Sequence, residues 1–179
     1  MPDPVHLDPA RFDLTRVDPA LVDPALVDPA CTDAVCRETR RAARAELRRH
    51  GLDPADGLLV VEPDVRDVRN VRWRFSCHPV SSSDRAGDDR SLSTWLDCRL
   101  HPDSRQMWIG DLRVAPLRRR RGWGRRLVRA AEGVARAMSS HVVTVFPLVH
   151  AVPFWQRLGY RPHDRTARVY VKIVTAAEE

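Results

Sequence analysis

The sequence predicts one mixed α/β domain, a mostly antiparallel sheet flanked by helices, with an acidic tail ahead of it. Three observations carry this. Four strand-like segments follow one another between residues 57 and 114, helices and strands alternate from there on, and the first 32 residues obey a repeat unsuited to a core. A chain of 179 residues suffices for one sizeable core and is short for two. The expected division is a tail over 1–32 and a domain over 33–179.

The tail places Asp3, Asp8, Asp13, Asp18, Asp23, Asp28 and Asp33 five residues apart, mostly followed by Pro, with VDPAL recurring over 17–26. Proline at that frequency removes backbone donors and forbids a continuous helix. So acidic and simple a segment is expected to stay extended or poorly ordered, although each Asp-Pro-Ala can start a turn. A docking arm is the other reading.

From Asp33 the stretch DAVCRETRRAARAELRRHG is rich in helix formers, with Asp33 as expected cap and Gly51 as stop. Ala34, Val35, Ala42, Ala45 and Leu47 form its thin apolar stripe. Strands are expected over 57–63 and 68–78, the latter with Val71, Trp73 and Phe75 on one face. Residues 81–91 read as a polar loop. Strands over 92–100 and 106–114, joined around His101-Pro102-Asp103, complete an antiparallel meander.

A helix is expected over 122–138, burying Leu127, Val128, Ala131, Val134, Ala135 and Met138. HVVTVF at 141–146 reads as a strand buried on both faces. A short helix over 150–158 stops at Gly159, and a strand over 168–174 closes the chain. The long helix makes the one strand-helix-strand crossover.

Composition narrows the function. The chain is 43% hydrophobic and 30% charged, as soluble globular proteins are, and no apolar run approaches bilayer length. The start MPDPVHLDPA lacks a basic region followed by an apolar stretch, so no secretory signal is expected and the expected location is the cytoplasm. Cys31, Cys36, Cys77 and Cys98 form no CxxC pair and are read as reduced thiols. Cys77-His78 and Cys98-x2-His101 offer zinc-ligand types, but neighbours on a strand point to opposite faces, so no metal site is expected. The net charge of +6 divides into about −5 on the first 33 residues and about +11 on the rest. A basic domain favours an anionic partner.

The most informative segment is DLRVAPLRRRRGWGRRLVRAAE at 111–132. A strand ends at Val114, Pro116 breaks it, and Arg119-Arg120-Arg121-Gly122-Trp123-Gly124 runs directly into a helix. Glycines permit close backbone approach and positive φ, so consecutive amides turn towards one centre. The free amides of the helix start aim partial positive charge at the same point. A diphosphate suits such a turn. No GK[ST] follows, so it is not a P-loop, and the spacing is not the dinucleotide fingerprint.

In this segment the sequence resembles the GNAT N-acetyltransferase superfamily, whose signature [RQ]xxGx[GA] lies between the fourth strand and a long helix. Arg119, Gly122 and Gly124 fill it, with Val114 and Pro116 ahead and Leu127 behind. A second family element, usually FYxxxGF, is matched by Phe154-Trp155-Gln156-Arg157-Leu158-Gly159-Tyr160. The resemblance covers roughly residues 33 to 175. It implies a V-shaped splay between strands four and five that seats acetyl-CoA as co-substrate. The amides of Arg120 to Arg125 would hold the pyrophosphate, and backbone groups near Leu112, Arg113 and Val114 would pair with the pantetheine arm. Arg119, Arg120, Arg121, Gly122, Trp123, Gly124, Arg125, Phe154, Trp155 and Arg157 complete the implied coenzyme set. A primary amine, on a small molecule or a peptide, would attack the thioester directly, with a strand-four amide stabilising the oxyanion.

One position departs from the family. Its second motif often carries a Tyr that acts as general acid, and here Trp155 stands there without a hydroxyl. Tyr160 is the phenol considered in its place. For the base, Asp111 lies on strand four, although its parity opposes Gly110 and Leu112 unless a bulge intervenes; Asp97 and His150 are comparable. The loops around 50–57, 79–91 and 160–167 would choose the substrate, and His78, Asp84, Asp88 and Asp89 would suit a cationic amine such as a polyamine, an aminoglycoside or a peptide amino group. Two other readings stand beside this one. A fold of this kind can bind a ligand without turnover, and the arginines can meet nucleic-acid phosphates, although no nucleic-acid signature accompanies them. Monomer and homodimer are both open.

Overall fold

A computed structural model describes residues 29–53, 57–64, 67–77, 93–163, 165–166 and 168–174. The five-residue repeat up to Asp28, the loop 78–92 with His78, Asp84, Asp88 and Asp89, and the last five residues lie outside the described residues.

Helix α1 (Pro29–Arg49) precedes strands β1 (Leu58–Asp64), β2 (Asp67–Cys77), β3 (Thr94–His101) and β4 (Gln106–Arg113). Helix α2 (Trp123–Ala137), strand β5 (Val142–Val145), helix α3 (Val152–Arg157) and strands β6 (Arg161–Pro162) and β7 (Tyr170–Ile173) follow. All seven strands form one sheet in the order β1-β2-β3-β4-β5-β7-β6. The first four strands are antiparallel neighbours, as their alternation predicts. β4 and β5 run parallel, joined by the α2 crossover, and β7 is antiparallel to both β5 and β6. The two-residue strand β6 has no counterpart in the sequence reading.

Two expectations for α1 need correction. The helix starts at Pro29, inside the last Asp-Pro-Ala unit, so Asp33 is an internal residue and not the cap. Its buried positions are Cys36, Thr39, Ala43 and Leu47, while Ala34 and Ala45 are exposed. Alanine counts as apolar but buries little area, so it marks a helix face poorly. The stop at Gly51 holds: Gly51 N–H donates to the Arg48 carbonyl at 2.9 Å and Leu52 N–H to the Leu47 carbonyl at 2.9 Å. This pairing is the Schellman cap, and it brings Leu52 into the core.

The same cap closes the other two helices. At the end of α2, Ser139 takes the left-handed position with φ 55, and Ser140 N–H donates to the Ala135 carbonyl at 2.8 Å. At the end of α3, Gly159 has φ 90, and Tyr160 N–H donates to the Trp155 carbonyl at 3.1 Å. A Schellman cap sets the residue after the glycine against the helical residue five positions before it. Here those residues are Tyr160 and Trp155, with ring centroids 5.1 Å apart. The aromatic-xxx-Gly-aromatic spacing is therefore a helix-stop device.

The sheet face towards α1 and α2 buries Val71, Trp73 and Phe75 on β2, Leu96, Cys98 and Leu100 on β3, Met107 and Ile109 on β4, Val143 and Val145 on β5. α2 presents Leu127, Val128, Ala131, Val134 and Ala135 to this core, as expected, with Met138 only half-buried. It also presents Glu132, which is fully buried. Glu132 accepts from Lys172 Nζ at 2.9 Å through Oε1 and from Arg129 Nη1 at 2.9 Å through Oε2. The opposite sheet face carries Arg72, Arg74, Trp95, Asp97, Trp108 and Asp111, none of them fully buried.

Candidate functional site

The parallel pair β4–β5 is paired from Gln106↔Val142 to Ile109↔Val145 and no further, although β4 continues to Arg113 against β3. A gap therefore opens between the two strands beyond Ile109, the splay implied by the resemblance. At that point β4 is irregular. Cys98 faces Ile109 and Asp97 faces Asp111, so Gly110 is an extra residue, a β-bulge. Gly110 to Arg113 have no β5 partner, and their gap-side backbone groups have no strand to pair with.

The segment after β4 leads to the start of α2. Ala115 N–H is held by Thr94 Oγ1 at 3.0 Å, and Pro116–Arg118 make a single 3-10 turn. Arg120 with φ 59 and Gly122 with φ 79 are left-handed on either side of Arg121. Alternating handedness turns successive amides inward, the geometry of an anion-binding nest. No side chain caps the start of α2. The first amide there to find a helical partner is that of Arg126, donating to the Gly122 carbonyl at 3.0 Å. The amides of Trp123, Gly124 and Arg125 are thus left for a ligand.

The two glycines have separate tasks. A Cβ on Gly122 would meet nothing within 4 Å, so its requirement is the positive φ alone. A Cβ on Gly124 would lie 3.3 Å from Phe154 Cζ and 3.5 Å from Val114 Cγ2. Gly124 therefore serves packing against α3, and it is where the two sequence motifs touch.

The arginines of the loop also divide. Arg119 Nε donates back to the Val114 carbonyl at 3.1 Å, tying the loop to the end of β4. Arg118 and Arg126 sandwich the Trp123 ring at 4.4 and 4.9 Å. Arg118 also reaches the carbonyl oxygen and Sγ of buried Cys77 on β2, and Arg126 reaches the Gly51 carbonyl at 3.4 Å. Arg120, Arg121 and Arg125 are exposed on all this scaffolding and have no ion pair or hydrogen-bonding side-chain partner among the described residues. Arg157 is exposed on α3, whereas Leu112, Arg113, Val114 and Phe154 are half-buried around the gap.

Trp155 is buried, packed edge-on to Phe154 and Tyr160 with centroids 5.1 Å from each. Tyr160 is fully buried, and its hydroxyl completes no hydrogen bond. Burial first, and then the charge of Glu132, hold its pKa well above that of a free phenol. In this arrangement the phenol is closed off from solvent. Tyr170 is buried as well.

Asp111 lies on the open face because of the bulge, so the parity that seemed to oppose it does not apply. It is exposed and accepts from Trp95 Nε1 at 2.5 Å. Directly across the sheet stands Asp97. Two carboxylates in such positions repel each other, and Asp97 is neutralised by its neighbours on β2. Arg72 donates to it through Nε at 3.0 Å and Nη2 at 2.5 Å, and Arg74 through Nε at 3.3 Å and Nη2 at 2.8 Å. Burial alone would raise the Asp97 pKa, but the hydrogen bonds and charges of the two arginines outweigh it, and the net shift is downward. Asp97 is committed to this cluster. His150 is exposed in the 3-10 turn Val149–Ala151, on the segment leaving β5.

Sequence reading missed the arginine clamp on Asp97, the Trp95–Asp111 contact and the Arg118–Trp123–Arg126 stack. For the clamp a signal existed: Arg72 and Arg74 share strand parity, and that parity is opposite to Trp73. The Trp95–Asp111 contact depends on long-range register, and the stack depends on how the loop before α2 folds back. Among the described residues no group of three or more His, Cys, Asp or Glu could hold a metal ion, and no helix is long and apolar enough to cross a membrane.

The model of the acetyltransferase (GNAT) family matches residues 67–160. Among solved structures the chain is similar to a nourseothricin acetyltransferase, with 15% identity and a TM-score of 0.45 over 66% of this chain and 85% of that one. It is similar to Tetrahymena GCN5, with 10% identity and a TM-score of 0.45 over 79% and 87%. A GNAT-family acetyltransferase of Staphylococcus aureus gives 11% identity and a TM-score of 0.42 over 83% and 96%. No curated protein matches by sequence.

Proposed function

Because the chain belongs to the acetyltransferase (GNAT) family, we propose that it moves an acetyl group from acetyl-CoA to a primary amine by direct attack. The observation that carries this reading is the uncapped start of α2, with its left-handed turn, set at the mouth of the β4–β5 gap. The nest and the amides of Trp123 to Arg125 suit a pyrophosphate, and Arg120, Arg121 and Arg125 supply uncommitted charge beside it. The gap-side backbone of Gly110 to Val114 suits the amide-rich pantetheine arm, and an amide at the bulge would face the developing oxyanion.

In the reaction the amine lone pair attacks the thioester carbon, the C–N bond forms and the C–S bond breaks. The proton on nitrogen passes to Asp111 or to water, and the sulfur departs as thiolate to be protonated by solvent. A thiolate is a much weaker base than an alkoxide or amide anion, so it leaves without strong need of an acid. A phenol at position 155 is then dispensable.

Coenzyme binding without turnover is a second reading, favoured by the burial of both Tyr160 and Tyr170. One pair of measurements decides. Calorimetry should give acetyl-CoA binding that Gly122→Val weakens at least about tenfold, about 1.4 kcal/mol, and free thiol should appear when amines are added. Absence of acetyl-CoA binding overturns both readings. Binding without thiol release from any primary amine overturns transfer alone.

A further inference from the structure

The described chain exposes six large hydrophobic residues: Leu58, Leu117, Phe146, Leu148, Val149 and Ile173. Four of them, Leu117, Phe146, Leu148 and Val149, belong to the two segments that leave β4 and β5. Those strands are parallel, so both segments emerge at the same end of the sheet and flank the gap. Apolar side chains concentrated at one opening indicate an apolar ligand.

On the side of α1 and α2 the sheet is filled by core, so an amine reaches the gap from the opposite face. There Trp108, one step before the splay, packs its ring against Phe146 at 5.7 Å and against His101 at 5.1 Å. Beyond the bulge comes Asp111, held by the Trp95 indole. Among the described residues the charges near the gap on this face are already assigned, and the exposed Glu62 lies three strands away on β1. Asp97 is bound to Arg72 and Arg74, Arg99 Nε is bound to Asp64 at 2.9 Å, and Arg113 lies over Trp95 at 4.9 Å. Asp111 is exposed and forms no ion pair among the described residues. It offers room for one cation, while Arg72, Arg74 and Arg113 on the same face repel a second.

Resting on the acetyl-transfer reading, we propose that the acceptor is a primary amine with a single positive charge on an apolar or aromatic body. Its ammonium is drawn to Asp111 and its body lies over Trp108 and Phe146. Polyamines and aminoglycosides, which the acidic residues of 84–89 suggested, fit this face poorly.

The test uses the full chain with acetyl-CoA and thiol release as readout, comparing 2-phenylethylamine, ethylamine and spermidine. The kcat/KM for 2-phenylethylamine should exceed the other two by at least about tenfold. Trp108→Ala and the half-exposed Phe146→Ala should each shrink the preference for 2-phenylethylamine over ethylamine by about tenfold, through KM rather than kcat. Acetyl-CoA calorimetry on both variants verifies that the fold and coenzyme site are intact. Preference for spermidine, or a phenylethylamine-to-ethylamine ratio unmoved in both variants, overturns the proposal while leaving acetyl transfer standing. If acetyl-CoA binds but no amine is acetylated, transfer itself fails. Titration of 2-phenylethylamine and spermidine into the coenzyme complex then decides the acceptor face, and tighter binding of spermidine, or no binding of either, overturns it.

Discussion

Removing the ammonium of Lys172 isolates Glu132, the most deeply buried charge among the described residues. Lys172 Nζ donates to Glu132 Oε1 at 2.9 Å and to the Leu158 carbonyl at 2.9 Å, so it links β7 to α2 and to the end of α3. Glu132 has no exposed surface. Lys172→Met keeps the aliphatic stem and deletes the charge. Breaking a buried ion pair from one side costs about 3–5 kcal/mol, because the remaining charge is stranded. Here Arg129 still satisfies the other carboxylate oxygen at 2.9 Å, but its side chain is 39% exposed and well solvated. The lower end of the range applies, so the expected loss is about 3 kcal/mol. For a domain of this size that corresponds to a fall in Tm of about 6–12 °C. Urea unfolding of Lys172→Met, Glu132→Gln and the double variant should show strong coupling, with the double variant less damaged than the sum of the singles. A loss under about 1 kcal/mol for Lys172→Met, or additive singles, would refute the assignment of this network as a buried clamp.

Three further outcomes follow from the same geometry. Tyr160→Phe removes a buried hydroxyl that lies by the Glu132 carboxylate but completes no hydrogen bond of normal geometry, so stability should be unchanged or slightly higher and thiol release should keep its rate. A tenfold fall in kcat would instead put this phenol on the proton path. Asp97 has a lowered pKa, so its contribution is present above the ordinary carboxylate range and lost as pH falls through the depressed value. Arg74→Gln should therefore shift the acid-unfolding midpoint, followed by circular dichroism, to higher pH. Ser139 holds a left-handed position at the end of α2, where Ser139→Gly should raise stability by about 1 kcal/mol in chemical denaturation.

Much of the fold was legible because its period-two and 3.6-residue patterns are carried by large side chains. Val71, Trp73 and Phe75 lie on one buried face as alternation predicts, and α2 buries its expected stripe but for the half-buried Met138. α1 was read less well, since alanine dominates its apolar positions and the residues that phase its inner face include Cys36 and Thr39. A stripe of small residues has no contrast. Glu132 was hidden by the same logic in reverse, because a carboxylate at a core phase reads as solvated until Lys172, forty positions later, is brought against it.

The candidate site was legible where local geometry determines it and obscure where register does. Gly122 and Gly159 are local: each takes a positive φ, Gly122 in the turn before α2 and Gly159 in the cap that ends α3. Asp111 is not. Strand parity put it on the wrong side, and only the unpaired Gly110, visible once β3 and β4 are in register, turns it to the open face. Gly124 joins the two kinds of information. As one letter of a phosphate-loop pattern it suggests close approach to a ligand, yet its Cα faces the Phe154 ring. The loop motif and the aromatic motif are thus two sides of one contact. Gly124→Ala strains that contact while Gly122→Ala strains only the backbone, so under the proposed acetyl-CoA reading the two substitutions would weaken coenzyme binding by different routes.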